Sequence, residues 1–177
     1  MDICEIIDEQ ISFLFIGRIN ILYKKNSQLL GFILLKDGEL VQIKYDKYRG
    51  KKALEFLLLE VESNKDKYHF VVEPEVVDLV HREFSESWSD LKESLIAALK
   101  KWKEYSVLAP PANLKVFVNA DFIYKGNNVD TDEFSILEII TDYNKISGVY
   151  EKSNLYRHQI TSKLVSLKLK NAIRVQS

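Results

Sequence analysis

The sequence predicts an α+β protein: a small antiparallel sheet with covering helices, followed by a helical linker and a helical C-terminal module. Three observations lead there. Asp37-Gly38 stands between two β-prone runs, residues 29–36 and 39–45, and this dipeptide supplies the positive φ angles of a tight hairpin turn. Ala53, Leu54, Leu57, Leu58 and Val61 recur at helical spacing, as do Trp88, Leu91, Leu95, Ala98, Leu99 and Trp102. Pro110-Pro111 then stops the chain, and beyond it the apolar pattern is again helical. The expected division is an α+β domain at 1–76, a linker at 77–129 with the Pro-Pro spacer and a short extended segment, and a helical module at 130–177.

Taken in order, Ile3, Ile6, Ile7 and Ile11 predict a short helix. Residues 13–22 are β-rich around Gly17, where a bend or a close approach is expected. Residues 24–28 form a turn before the hairpin, and Leu40 to Tyr45 alternate as a half-buried strand does. A solvated connection at 47–52 leads into the Ala53–Val61 helix. Lys67 to Val72 return to strand character, and Pro74 bars a central position for that strand. Val76, Val77 and Val80 open the linker, and Ser87 or Ser89 caps the tryptophan-containing helix. Residues 114–122 read as extended, and Gly126-Asn127-Asn128 as a turn. Asp130 or Thr131 caps a helix with Phe134, Leu137, Ile140 and Ile136 inward. A short helix or turn at 149–154 and a longer helix carrying Tyr156, Ile160, Leu164 and Leu167 follow, then an extended end at 173–175. Three helices and a terminal strand make a winged-helix-like outline.

Composition narrows function more than it names it. The 177 residues are 46% hydrophobic and 29% charged, with six glycines and three prolines, which excludes a disordered or collagen-like chain. The net charge is −1 and is evenly spread, with no global positive field for nucleic acid. Cys4 is the lone cysteine, so no disulfide forms within the chain. The acidic start, MDICEIIDEQ, does not read as a signal peptide, and the apolar runs fall far short of the roughly 20 residues that span a bilayer. The expectation is a cytoplasmic protein with no membrane insertion.

Candidate chemistry is sparse. His69, His81, His158 and Cys4 include no pair at the spacing that sets two metal ligands on one helical face. No phosphate-binding glycine motif or nucleophile elbow occurs. No enzyme activity, cofactor or metal is expected. The densest feature is basic: Lys44, Lys47, Arg49, Lys51 and Lys52 against Asp46 give 5 − 1 = +4 across nine residues, interleaved with Tyr45 and Tyr48. Lys44, Lys47, Tyr48, Arg49, Lys51 and Lys52 form a candidate interaction patch for phosphate groups or an acidic protein surface, against the plainer reading of a solvated connection. In the C-terminal module Arg157, His158, Thr161 and Lys163 lie away from the core positions of their helix and are the candidate nucleic-acid contacts of an alternative, DNA-binding reading. The stripe from Trp88 to Trp102 is either buried or the face of a homodimer or docking site.

Gly17-Arg18-Ile19, the turn Asp37-Gly38 with Leu40-Val41 after it, Gly50 before Ala53-Leu54, and the aromatic strand Tyr68-His69-Phe70 follow in an order that resembles the PATAN domain family over roughly residues 3–74. Residues 88–177 resemble the tryptophan-containing linker helix and winged-helix-like end of larger members. The resemblance implies a non-enzymatic protein–protein interaction module in bacterial signalling, with a signalling or motility component or a response-regulator system as partner. It carries over no site residues.

Overall fold

The computed structural model describes residues 2–77, 82–126 and 128–176, so Val80, His81 and Asn127 lie outside the described residues. Two units are distinguished, Met1–Leu99 and Lys100–Ser177.

In the first unit Asp2 accepts the Cys4 amide while Glu5 reaches back to the Asp2 amide, a capping box that starts α1 (Ile3–Ser12). Phe13, Leu14 and Phe15, expected in a strand, instead end this helix: their amides donate to Glu9, Ile11 and Gln10. Leu14 sits at φ 52° and is 68% exposed, so the strand starts only at Gly17. Gly17 is required there, because a Cβ would lie 2.3 Å from the Glu73 carbonyl oxygen.

The strands are β1 (Gly17–Tyr23), β2 (Gln28–Lys36), β3 (Glu39–Tyr45), the two-residue β4 (Tyr48–Arg49) and β5 (Tyr68–Pro74). They form one antiparallel sheet in the order β4-β3-β2-β1-β5. Asp37 and Gly38 both take positive φ at the β2–β3 turn, as a tight hairpin needs. Leu34 pairs with Gln42 and Leu35 with Leu40, leaving Val41 as a bulge residue. That places Leu40 and Val41 both in buried positions. Pro74 ends an edge strand.

One sheet face holds Ile19, Ile21, Ile33, Leu35 and Ile43, all fully buried. Removing such side chains from water contributes about 1.5–3 kcal/mol each. Helix α2 (Gly50–Ser63) covers this face: Glu60 accepts the Tyr68 hydroxyl, which in turn accepts from Tyr45. Helix α3 (Trp88–Tyr105) starts at the Ser87 cap, and Trp88, Leu91, Leu95 and Ala98 are buried. The Trp88 indole donates to Asp8 at 2.6 Å and Lys92 joins it at 2.5 Å. Burial draws the Asp8 carboxyl upward, but the hydrogen bonds from Lys92 and Trp88 outweigh it and hold the group below its ordinary range.

The second unit contains β6 (Lys115–Val118), α4 (Ala120–Tyr124), α5 (Thr131–Asp142), α6 (Ile146–Lys152), α7 (Arg157–Leu169) and β7 (Ile173–Gln176). Only part of the extended stretch expected at 114–122 is strand, since the chain turns helical from Ala120. β6 pairs with β7 on one side and with residues 144–146 on the other, through Val116 to Asn144, Ile146 to Leu114, and the Lys115–Lys145 bridge. A strand expected in the linker is therefore one of the two strands of this unit's small sheet. Asp130 caps α5 in a full capping box with Glu133. Phe134, expected inward, is 54% exposed: the buried stripe is Glu133, Ile136, Leu137 and Ile140, so a carboxylate takes the first inward position. Ile160, Leu164 and Leu167 of α7 close the core, against which Trp102 packs half-buried.

Candidate functional site

The basic patch is built by a tight turn. Asp46, at φ 53°, folds β4 back on β3 so that Tyr45 faces Tyr48 and Lys44 faces Arg49. Like charges directly opposite across strands repel. The neutralising group comes from more than thirty residues further on. One oxygen of Glu83 accepts the Ile43 and Gly50 amides at 3.1 Å each; the other takes Gln42 Nε2 at 3.3 Å and lies 3.7 Å from Arg49. The Glu83 side chain is only 13% exposed, and its own amide donates to the Val41 carbonyl at 2.9 Å. One residue thus closes the outer edge of β3 and satisfies an amide at the start of α2, where backbone donors have no partner within the helix. Lys51 pairs with Glu86 at 2.6 Å, an exposed pair of small energetic weight. Tyr48 stacks on Phe56 with ring centroids 4.0 Å apart, and Lys47 Nζ lies 5.5 Å from the Tyr48 ring. Lys44, Lys47, Arg49 and Lys51 are exposed, while Tyr48 and Lys52 are half-buried. The sequence reading missed Glu83, which no local motif marks.

Lys44 and Arg49 continue onto the second sheet face. Strand register lays two transverse rows across it: Val71, Asn20, Phe32, Lys44 and Arg49, and beside them Glu73, Arg18, Leu34 and Gln42. Phe32 and Val71 are half-exposed, and Leu34 is buried. Asn20 is buried in mid-row. Its amide donates to Glu73 at 2.6 Å, while its Oδ1 lacks a hydrogen-bond partner among the described residues. Arg18 Nε lies 3.5 Å from Glu73 and 3.3 Å from Glu75. The face therefore runs from an acidic edge at β5, through an apolar middle containing an unmet acceptor, to a basic edge at β3–β4.

The four residues singled out on α7 are engaged within their own unit. Arg157 lies over the Trp102 and Tyr150 rings at 5.3 and 5.7 Å. His158 is buried between Tyr105 and Tyr156, with Nδ1 unbonded among the described residues; burial, and then the charge of Lys101, push its pKa down. Thr161 is fully buried, shares a 2.5 Å hydrogen bond with the Tyr150 hydroxyl and donates to the Arg157 carbonyl. Lys163 pairs with Asp130 at 2.7 Å and Asp132 at 3.6 Å. The neighbouring Glu133, 2% exposed, receives Lys170 at 2.6 Å and Ser166 at 2.6 Å. Burial raises the Glu133 carboxyl, but Lys170 and Ser166 more than offset it, and the net shift is downward. The acidic start of α5 thus takes up basic charge of α7.

A shallow depression lined by Tyr23, Lys24, Lys25, Asp66 and Lys67 lies at one corner of the first unit. Among the described residues no cluster of three histidines, cysteines or carboxylates is placed to hold a metal, and no helix is long and apolar enough to cross a membrane. No family model, curated protein or solved structure matches the chain.

Proposed function

We infer that this protein is a non-enzymatic interaction module of bacterial signalling, whose partner is a protein of a signalling, motility or response-regulator system. The observation that supports the reading is the second sheet face: a half-exposed Phe32 and Val71 on either side of the buried Asn20, in a row that ends in the exposed Lys44 and Arg49. An apolar centre with a polar rim is what a protein partner recognises. The basic edge selects a partner with acidic residues there and quickens encounter. The resemblance of residues 3–74 to the PATAN family supplies the signalling context.

The alternative, a transcriptional regulator, draws on the α6–α7 helix-turn-helix outline. Phosphate contacts dominate DNA affinity. Arg157 and Lys163, the cations that would make them, are stacked on aromatic rings and paired with aspartates. Recovery of partners by the full chain from native extract tests the two readings together with salt-dependent DNA binding. Under the interaction reading Lys44→Glu with Lys47→Glu abolishes recovery of the partner and changes stability by less than about 0.5 kcal/mol. Unchanged recovery, or collapse of the fold, counts against the sheet-face site. Sequence-selective DNA binding at about ten nanomolar, within the range of specific regulators, and lost on neutralising Arg157 and Lys163, would replace it with the regulator.

A further inference from the structure

The two edges of the five-stranded sheet are finished differently. On the β3 side the ladder is closed by β4 and then by Glu83, whose amide and carboxylate occupy the Val41 carbonyl and the Ile43 amide. On the other side β5 is the last strand, and seven residues long.

The direction of its backbone groups follows from two flanking bonds. Lys24 donates to the Lys67 carbonyl and Glu75 to the Ile16 carbonyl, and the register between β1 and β5 runs without a shift. The odd-numbered residues of β5 therefore bond β1. In an antiparallel ladder the alternate residues point both groups the other way, so Tyr68, Phe70 and Val72 direct N–H and C=O outward, and Pro74 directs its carbonyl. No backbone hydrogen bond among the described residues reaches this edge. An open, β-prone edge is a template for another strand, and proteins that do not use such an edge block it.

We propose that a second copy of this chain occupies it, with β5 pairing antiparallel to β5 across a two-fold axis at Val71. A two-fold contact needs a strand complementary to itself, and YHFVVEP is. In this register Phe70 and Val72 of one copy exchange hydrogen bonds with Val72 and Phe70 of the other. The Tyr68 amide meets the Pro74 carbonyl, the position where a missing proline N–H does least harm. His69 falls opposite Glu73 twice, an imidazole donor beside a carboxylate, and both side chains are exposed on the same sheet face. On the helix-covered face Phe70 lies against Val72. The product is a ten-stranded sheet that continues the second face across both copies.

The purified full chain tests this without any partner, so its outcome is independent of the interaction reading above. Sedimentation should give a mass rising with concentration toward twice 20.6 kDa. Val72→Pro removes an outward donor and no β1 bond, so it should leave a folded monomer. His69→Glu sets like charges opposite one another and should weaken dimerisation at least about tenfold. Val71→Cys should form an intermolecular disulfide on mild oxidation, since the axis brings the two residues within bridging distance; Cys4 is buried and serves as the silent background. If Val72→Pro fails to fold, His69→Glu and Val71→Cys still decide. A monomer at every concentration overturns the proposal, as does a dimer indifferent to His69→Glu or one whose Val71→Cys form does not cross-link.

Discussion

Replacing Glu83 with alanine should unsettle the first unit well beyond the loss of one surface charge. The change leaves the Ile43 and Gly50 amides without the oxygen that both use, and it restores the unrelieved Lys44–Arg49 opposition. A hydrogen bond to a charged group contributes about 1.5–3 kcal/mol. Taking the lower end for two bonds, because water can reach part of the site, the expected loss is about 3 kcal/mol. That is a large share of a stability of about 5–15 kcal/mol. Glu83→Gln keeps an acceptor and should cost about 1 kcal/mol, mainly the charged component. Two units need not unfold together, so a single melting curve is the wrong readout. Site-resolved amide hydrogen exchange is the right one: protection at Ile43 and Gly50 should fall in Glu83→Ala while the amides of α5 and α7 keep theirs. If protection at Ile43 and Gly50 changes by less than the equivalent of about 0.5 kcal/mol, the size of an ordinary surface substitution, the role assigned to Glu83 is wrong.

Two further perturbations concern the second unit. His158 has its pKa lowered in the folded state, so as pH falls below its ordinary 6.5 the unfolded chain takes up the proton first. The stability His158 contributes is full above that value and lost below it; melting at pH 7.5 and 5.5 should separate wild type from His158→Gln, with the wild type losing more and equal losses counting against the assignment. Lys170→Met leaves the buried Glu133 carboxylate with Ser166 and the Asp130 amide only, at a cost of about 2 kcal/mol. Because the Glu133 pKa is depressed, what Lys170 supplies is present above the ordinary 4.5 and disappears in acid, so urea midpoints of wild type and variant should converge as the pH drops below that value.

What could be read in the sequence was what neighbours in sequence decide. Asp37-Gly38 needed positive φ and obtained it; Ser87 and Asp130 sat where a helix lacks partners for its amides; Pro74 lay at the end of the sheet's last strand, where its missing N–H costs no bond to β1. The misreadings share another cause. Residues 13–15 are apolar enough for a strand, but the unpaired carbonyls at the end of α1 claimed their amides first. Phe134 belonged inward by hydropathy, yet Lys170 and Ser166 made a buried Glu133 tolerable, so that Glu133 and not Phe134 takes the first inward position while Ile136, Leu137 and Ile140 stay inward as expected. The candidate patch was legible as charge, but not its neutralisation by Glu83 and Glu86, nor the row of Asn20 and Phe32 beside it, because register joins positions that composition cannot link. The α7 residues were placed on an outer face because Trp102 and Tyr105, which engage Arg157 and His158, come from another helix altogether.

The position of α3 bears on how this chain can be dissected. Its proline pair invites a cut near residue 110, and a naive expression plasmid would divide the gene there. Such a fragment would strip Trp102 and Tyr105 from the residues they cover on α7. A cut before Trp88 would instead rob the sheet-bearing half of Trp88, Leu91 and Leu95. Dividing between Leu99 and Lys100 respects both sets of contacts but severs a helix in mid-run, exposing four amides on one stump and four carbonyls on the other. Deletion studies that assign a phenotype to either half should therefore carry the whole of Trp88–Tyr105 in both fragments; otherwise they will report unfolding as loss of function.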